Sequence, residues 1–346
     1  MNLIWQAGRI GPMELRNRTV RSATNEHLAD RNGMLTQAWA DTEIELARNE
    51  VGLVITGHFA VDPARRADEG QPAMLPDIDR EMLRKAADGV HGYGGRIVMQ
   101  LNDAGLKAPE AVNGQPPKGP DDFTVSELKE LRDRYVAAAV IAKECGFDGV
   151  QVHCAHGYFL SSFLDPNFNH RTDEYGGSYD NRFRLPGEII RAVRDAVGTQ
   201  TAVLVKMDSN SNPDFHHALE MFAASGIDAV EISGVDFGAR KGEKSAFYLD
   251  ALLEAGKGME IPFILTGGIF SLGEAERVLE AGIPFVGFSR SLICEPGLIA
   301  AWKAGMQNEA KCLACNGCYQ IYRSRYVRCV QHKTPMPQLE KVFGAK

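Results

Sequence analysis

The chain has 346 residues, 44% apolar and 24% charged, with 35 glycines and a formal net charge of −7. That composition belongs to a globular protein with a sizeable core, and its acidic balance, without any block of Lys or Arg, disfavours a nucleic-acid or anionic-membrane surface. No apolar run approaches the roughly 18 residues of a membrane span, and MNLIWQAGRIGPM lacks the basic-then-apolar pattern of a signal peptide, so a cytoplasmic protein is expected.

The first β-rich run covers residues 19–22 and leads into Ala23, Thr24 and Asn25. A helical pattern over 36–49 follows, then a second run, 52–56, with His58 just beyond it. The Gly-rich turn HGYGGR enters the third run, 96–101, which carries Gln100 near its end. After a helical stretch at 126–145 comes GVQVHCAHGYF, whose run 149–153 stops in His153, Cys154, His156 and Tyr158. Helical residues 181–197 lead to the fifth run, 202–207, with Lys206; helical residues 214–224 lead to the sixth, 229–232, followed by Ser233. The seventh run, 263–266, breaks into Gly267-Gly268, and after a helix at 272–281 the eighth, 285–289, gives way to Ser289 and Arg290. Eight strands alternating with helices over residues 1–305 predict an α/β fold, a (β/α)8 TIM barrel. A doubly wound open sheet is the alternative, since alternation does not separate the two. Residues 306–346 form a short cysteine-rich appendage.

Barrel enzymes do their chemistry at the C-terminal ends of the strands, and here nearly every strand ends in a polar residue or glycine. Two glycine loops in tandem, LTGGIF and VGFSRSL, let backbone N–H groups approach a phosphate, with Arg290 supplying charge. A plain tight turn is the simpler reading of Gly267-Gly268 taken alone. Gln100 and Lys206 suit a flat heterocycle, the amide reading its edge and the ammonium steadying negative charge. His153-x-x-His156 could bind a metal with Asp165, or Cys154 could pair with a histidine. If His153 points into the barrel mouth, however, alternation turns Cys154 away. Two histidines and a tyrosine are then better suited to holding one oxygen and giving a proton, packed core histidines being the bland alternative.

DGVQVHCAHGYFLSSFLDPNFNHRTDEYGGSYDNRFR resembles the signature region of the old yellow enzyme family of FMN-dependent ene-reductases. NRTVRSATNE, GRIVMQLNDAG and TGGI are similar to other parts of its barrel, in order. The resemblance implies FMN at the barrel mouth, NAD(P)H as reductant and an activated, enone-type alkene as substrate. It implies His153 and His156 as donors to the substrate oxygen and Tyr158 as proton donor. Gln100 would meet the flavin pyrimidine, Lys206 its N1/O2 side, and Ala23, Thr24 and Asn25 the region of N5 and O4. His58 falls where a backbone contact is made, and Gly267, Gly268, Ser289 and Arg290 would hold the phosphate. The chain departs from the family at Asn25, where Thr or Cys is common, and at His58, where a small residue is usual. It departs again at Asp103 and Leu106, where His and Arg are common. These departures bear on redox tuning and substrate preference.

Cys312, Cys315, Cys318 and Cys329 stand as C-x2-C-x2-C-x10-C, a spacing that can hold a [4Fe–4S] cluster, or zinc, or nothing. The run resembles the cluster motif of trimethylamine dehydrogenase and 2,4-dienoyl-CoA reductase. There a cluster implies electron transfer, and here an electron-transfer partner protein or a structural role. The alternative function is therefore an electron-transferring dehydrogenase or demethylase component carrying FMN and a cluster. No nucleic acid or membrane partner is expected, and the protein is compatible with a monomer or a homo-oligomer.

Overall fold

The computed structural model describes residues 2–211, 214–321 and 326–332. Its parallel strands are β1 (Thr19–Arg21), β2 (Leu53–Ile55), β3 (Arg96–Asn102), β4 (Gly149–Cys154), β5 (Ala202–Asp208), β6 (Ala229–Ser233), β7 (Phe263–Thr266) and β8 (Phe285–Phe288). Each pairs with the next, and β8 pairs back onto β1 through Val286 opposite Thr19, which closes the barrel. That single pairing excludes the open sheet. The strands are rich in Val, Ile and Leu and buried on both faces, as parallel strands under a helical layer must be.

The helices that follow are α1 (Gln37–Arg48), α2 (Arg80–Gly92), α3 (Val125–Glu144), α4 (Tyr179–Val197), α5 (Phe215–Ala223), α6 (Leu249–Ala255), α7 (Leu272–Glu280) and α8 (Leu298–Lys303). Local chemistry sets their starts. Thr36, Ser178 and Ser271 each accept an N–H of the first turn, and Thr124 and Glu127 form a reciprocal capping box at α3. Among the described residues no helix is long and apolar enough to cross a membrane.

A short antiparallel hairpin, Gly8–Ile10 with Met13–Leu15, seals the N-terminal end of the barrel. Its Ile10, Met13 and Leu15 pack with Val20, Leu53, Val98, Leu204 and Ile264 in an apolar layer inside the barrel. Chemistry is thereby confined to the other end. The described part of the tail is tied to that end: Gly242 N–H donates to Ala314 O at 3.0 Å, Ala310 N–H to Phe270 O at 2.7 Å, and Val327 N–H to Glu26 O at 2.9 Å. Residues 322–325 and 333–346 lie outside the described residues.

Asp103, one of the departures from the family pattern, serves this scaffold. It is fully buried, receives Arg65 Nη2 at 2.6 Å and Nε at 3.0 Å, and accepts the Gly105 N–H at 2.8 Å. The Arg65 guanidinium in turn lies 4.4 Å from the Phe123 ring centre. Asp103→Ala strands a buried guanidinium, so the unfolding free energy in urea is expected to fall by about 3 kcal/mol.

Candidate functional site

Strand register builds the floor of the site. Gln100 lies opposite Gln151 across β3 and β4, and Lys206 opposite Glu231 across β5 and β6. Their side chains form one chain of contacts: Gln100 Nε2 donates to Gln151 Oε1 at 2.7 Å, and Gln151 Nε2 to Glu231 Oε2 at 2.8 Å. Lys206 Nζ lies 2.9 Å from Glu231 Oε1, which also accepts from Ser22 Oγ at 2.5 Å and Thr266 Oγ1 at 2.8 Å. Burial alone would raise the Glu231 pKa, but Lys206 and these hydrogen bonds bring it below the ordinary value. Sequence reasoning reached Gln100 and Lys206 and missed Gln151, Glu231 and Ser22. The signal was present, because a Glu inside AVEI and a Gln inside GVQV are polar residues in strands otherwise built for burial.

Above this floor opens a cavity of about 670 Å³. Ala23, Thr24 and Asn25 line it after β1, His58 after β2, Gln100 from β3 and Lys206 from β5. His153, His156 and Tyr158 line it from β4 and its loop, Gly267 and Gly268 after β7, and Ser289 and Arg290 after β8. The sequence-derived flavin, histidine and tyrosine residues therefore line one cavity. Cys154 does not: it packs in the hydrophobic core toward the helices, and burial raises its thiol pKa. Asp165 borders a separate cavity of about 20 Å³, away from the histidine rings.

At one end of the cavity the backbone is bare. Gly267 and Gly268 adopt φ of 141° and 78°, and a Cβ on Gly268 would fall 1.5 Å from Ser245 O. Beside them the buried Arg290 stands 5.2 Å from the Phe270 ring centre and donates to Asn316 Oδ1 at 2.5 Å. Thr24 Oγ1 and Ser289 Oγ are 3.1 Å apart. Asn25 is turned toward the loop after β2, its Nδ2 donating to Asp68 Oδ2 at 2.7 Å.

At the other end four rings surround one space. His153 lies 5.2 Å from His156, 5.1 Å from Tyr158 and 5.9 Å from His58, and His58 lies 5.0 Å from Tyr158. Burial, reinforced by neighbouring cations, holds all three imidazoles neutral: His153 and His156 are pushed well below the ordinary value and His58 down to about 3. Their hydrogen bonds select tautomers. His153 Nδ1 accepts the Ala155 N–H at 3.2 Å, which leaves the ring proton on Nε2. His156 adopts a positive φ of 61°, held by its N–H donating to Asp208 Oδ2 at 2.5 Å, while its Nε2 meets Ser233 Oγ at 3.0 Å. Lys107, Phe237, Tyr319 and Val327 also line it, the last two from the tail. Loop and tail residues of this kind carried no strand-end signal.

Cys312, Cys315, Cys318 and Cys329 border a second small cavity, about 20 Å³, that also touches Arg290 and Asn316. A fifth thiol, Cys294, interacts electrostatically with Cys312 and Cys329. Among the described residues no three His, Cys, Asp or Glu side chains are placed to hold a metal ion.

A family model described as NADH:flavin oxidoreductase / NADH oxidase matches residues 5–309. The chain is 32% identical over 376 residues to the NADH oxidase of Thermoanaerobacter brockii, covering 99% of itself and 57% of that protein. It is 28% identical to the 4,4'-dithiodibutanoate disulfide reductase of Rhodococcus erythropolis, covering 94% of each. It thus spans little more than half the first of these relatives. In solved structures the barrel superposes on a 2-naphthoyl-CoA reductase complex with a TM-score of 0.85 at 22% identity, covering 94% of this chain and 56% of that one. On the old yellow enzyme homologue of Zymomonas mobilis the TM-score is 0.80, also at 22% identity, with 96% and 99% covered.

Burial raises the Asp208 carboxyl to about 7. The native state therefore holds this proton more tightly than an unfolded chain, whose Asp titrates at about 3.9. Its contribution to stability is complete below about pH 4 and is lost as pH rises through about 7. Infrared titration is expected to show a protonated carboxyl with a midpoint near 7 that disappears in Asp208→Asn. Over the same window the stability of that variant relative to the parent should rise.

Proposed function

The chain belongs to the NADH:flavin oxidoreductase / NADH oxidase family, and we propose that within it this protein is an FMN-dependent ene-reductase. The observation that carries this reading is the ring of three neutral imidazoles and one phenol, set in the same cavity as the Gln100–Lys206 floor. FMN fits the donor set: an amide and an ammonium at the floor, bare glycine backbone and a guanidinium at one end. Gln100, Lys206 and residues 23–25 would hold its ring system, and Gly267, Gly268, Ser289 and Arg290 its phosphate. When bound, FMN supplies the two-electron relay between NAD(P)H and the alkene.

The protein's own part is positioning and polarisation. His153 and His156 donate to the substrate's carbonyl-type oxygen. Because both are neutral, they stabilise charge as it develops without transferring a proton to that oxygen beforehand. The Nε2–H tautomer of His153 is already selected by Ala155, so no reorganisation precedes the reaction. Tyr158, beside the His153 imidazole, gives the proton to the α-carbon. Lys206, paired with Glu231, would steady the negative side of the reduced ring system.

The test separates the two half-reactions. Tyr158→Phe is expected to keep NAD(P)H-driven flavin reduction within two-fold, while cyclohexenone-dependent reoxidation slows by roughly 10²-fold or more. Unchanged reoxidation removes Tyr158 as the acid, and absence of enone-dependent turnover in the parent protein removes the ene-reductase reading.

A second reading is an electron-transferring component with FMN, a [4Fe–4S] cluster and an external partner. It is favoured by four thiols sharing one cavity against Arg290. Thiolate chemistry suits a cluster, but the side chains are not gathered as a ligand set among the described residues, and no step is derived through it. Equal amounts of iron and acid-labile sulfide in anaerobically purified protein support this reading; zinc, or neither, ends it.

A further inference from the structure

Three cationic side chains line the cavity, Lys107, Lys206 and Arg290, and among the described residues no carboxylate does. Lys206 is compensated from beneath by Glu231, and Arg290 stands at the glycine loops assigned to the phosphate. Lys107 has no such role. It projects from the loop after β3, donates to the main-chain oxygen of His156 at 2.5 Å, and lies 5.1 Å from the Tyr158 ring centre. Its hydrogen-bond partner is a neutral carbonyl, and the carboxyl that faces it, Asp208, is raised by burial to about 7 and so balances the ammonium only in part.

His58 stands on the same tyrosine, 5.0 Å from its ring centre. Its Nδ1 accepts from Gln71 Nε2 at 2.7 Å and from Asn102 Nδ2 at 2.9 Å. Two amide donors on one ring nitrogen fix the proton on the other, so His58 presents an Nε2–H to the cavity that it lines. Around the mouth Leu106, Phe168 and Val235 remain 41%, 45% and 47% exposed, an apolar lip on an otherwise donor-rich pocket.

We propose that Lys107 and His58 form an anion-recognising subsite beside Tyr158, so that the substrates of this protein carry a carboxylate on an apolar body of aryl size. Charge-assisted hydrogen bonds from a partly desolvated ammonium and a fixed imidazole donor are the interactions that distinguish a carboxylate from a neutral isostere. The substrate class rests on the ene-reductase reading, whereas the anion preference of the subsite does not.

The test therefore uses ligands that cannot be reduced. FMN-loaded protein is titrated calorimetrically with 3-phenylpropanoate and with 3-phenylpropanamide. The carboxylate is expected to bind at least ten-fold more tightly than the amide, a preference lost in Lys107→Met and kept in Lys107→Arg. His58→Phe, which keeps the bulk and removes the donor, should weaken the carboxylate about three-fold. Equal binding of the two ligands, or a preference that survives Lys107→Met, overturns the proposal. So does a loss confined to NADH or NADPH binding, because the anion recognised is then a nucleotide phosphate. Cinnamaldehyde-dependent reoxidation, measured beside it, reports on the ene-reductase reading alone.

Discussion

Glu231 sits fully buried inside the barrel, where an ionised carboxylate costs several kcal/mol unless it is paired and hydrogen-bonded. Compensation comes from four other strands: Ser22 at the end of β1, Gln151 from β4, Lys206 from β5 and Thr266 from β7. Those side chains cannot move independently without leaving a buried charge exposed to low dielectric. Gln100 is fixed in turn through Gln151. The position of the Lys206 ammonium in the cavity floor thus follows from satisfying a buried carboxylate that lies outside the cavity lining.

The upper half of the site follows a complementary rule. Burial, reinforced by Lys206 and Lys107, keeps three imidazoles neutral, and local partners of His58 and His153 select which ring nitrogen carries the proton. Neutral donors near cations, one of them held by the Asp208 carboxyl, are on the proposed reading preorganised to receive an electron-rich oxygen. The tail takes part as well. Tyr319 packs 5.1 Å from Phe237, which lies 6.1 Å from His156, and Asn316 receives Arg290. The segment read from sequence as an appendage is therefore also a wall of the site.

Most of the barrel and the position of its mouth were legible in the sequence, because parallel strands announce themselves as short apolar runs and the residues at their ends line the cavity. Closure was not legible, since it depends on β8 meeting β1 across most of the chain. Gln151 and Glu231 escaped because a polar residue within a strand has meaning only once register sets it opposite a partner. Asp103 looked like a change in the site and proved to be a buried anchor for Arg65. Lys107 and Tyr319 were invisible for another reason: loop and tail geometry comes from long-range contacts, which periodicity does not encode.

We propose that the Glu231-anchored Lys206 sets the electrostatics of bound flavin. The most direct measurement is the two-electron midpoint potential of FMN in Lys206→Met beside the parent protein. Loss of the cation should make it more negative by about 30 mV or more, the equivalent of a ten-fold loss in stabilisation of the reduced form. A variant that binds FMN with an unchanged potential contradicts the account.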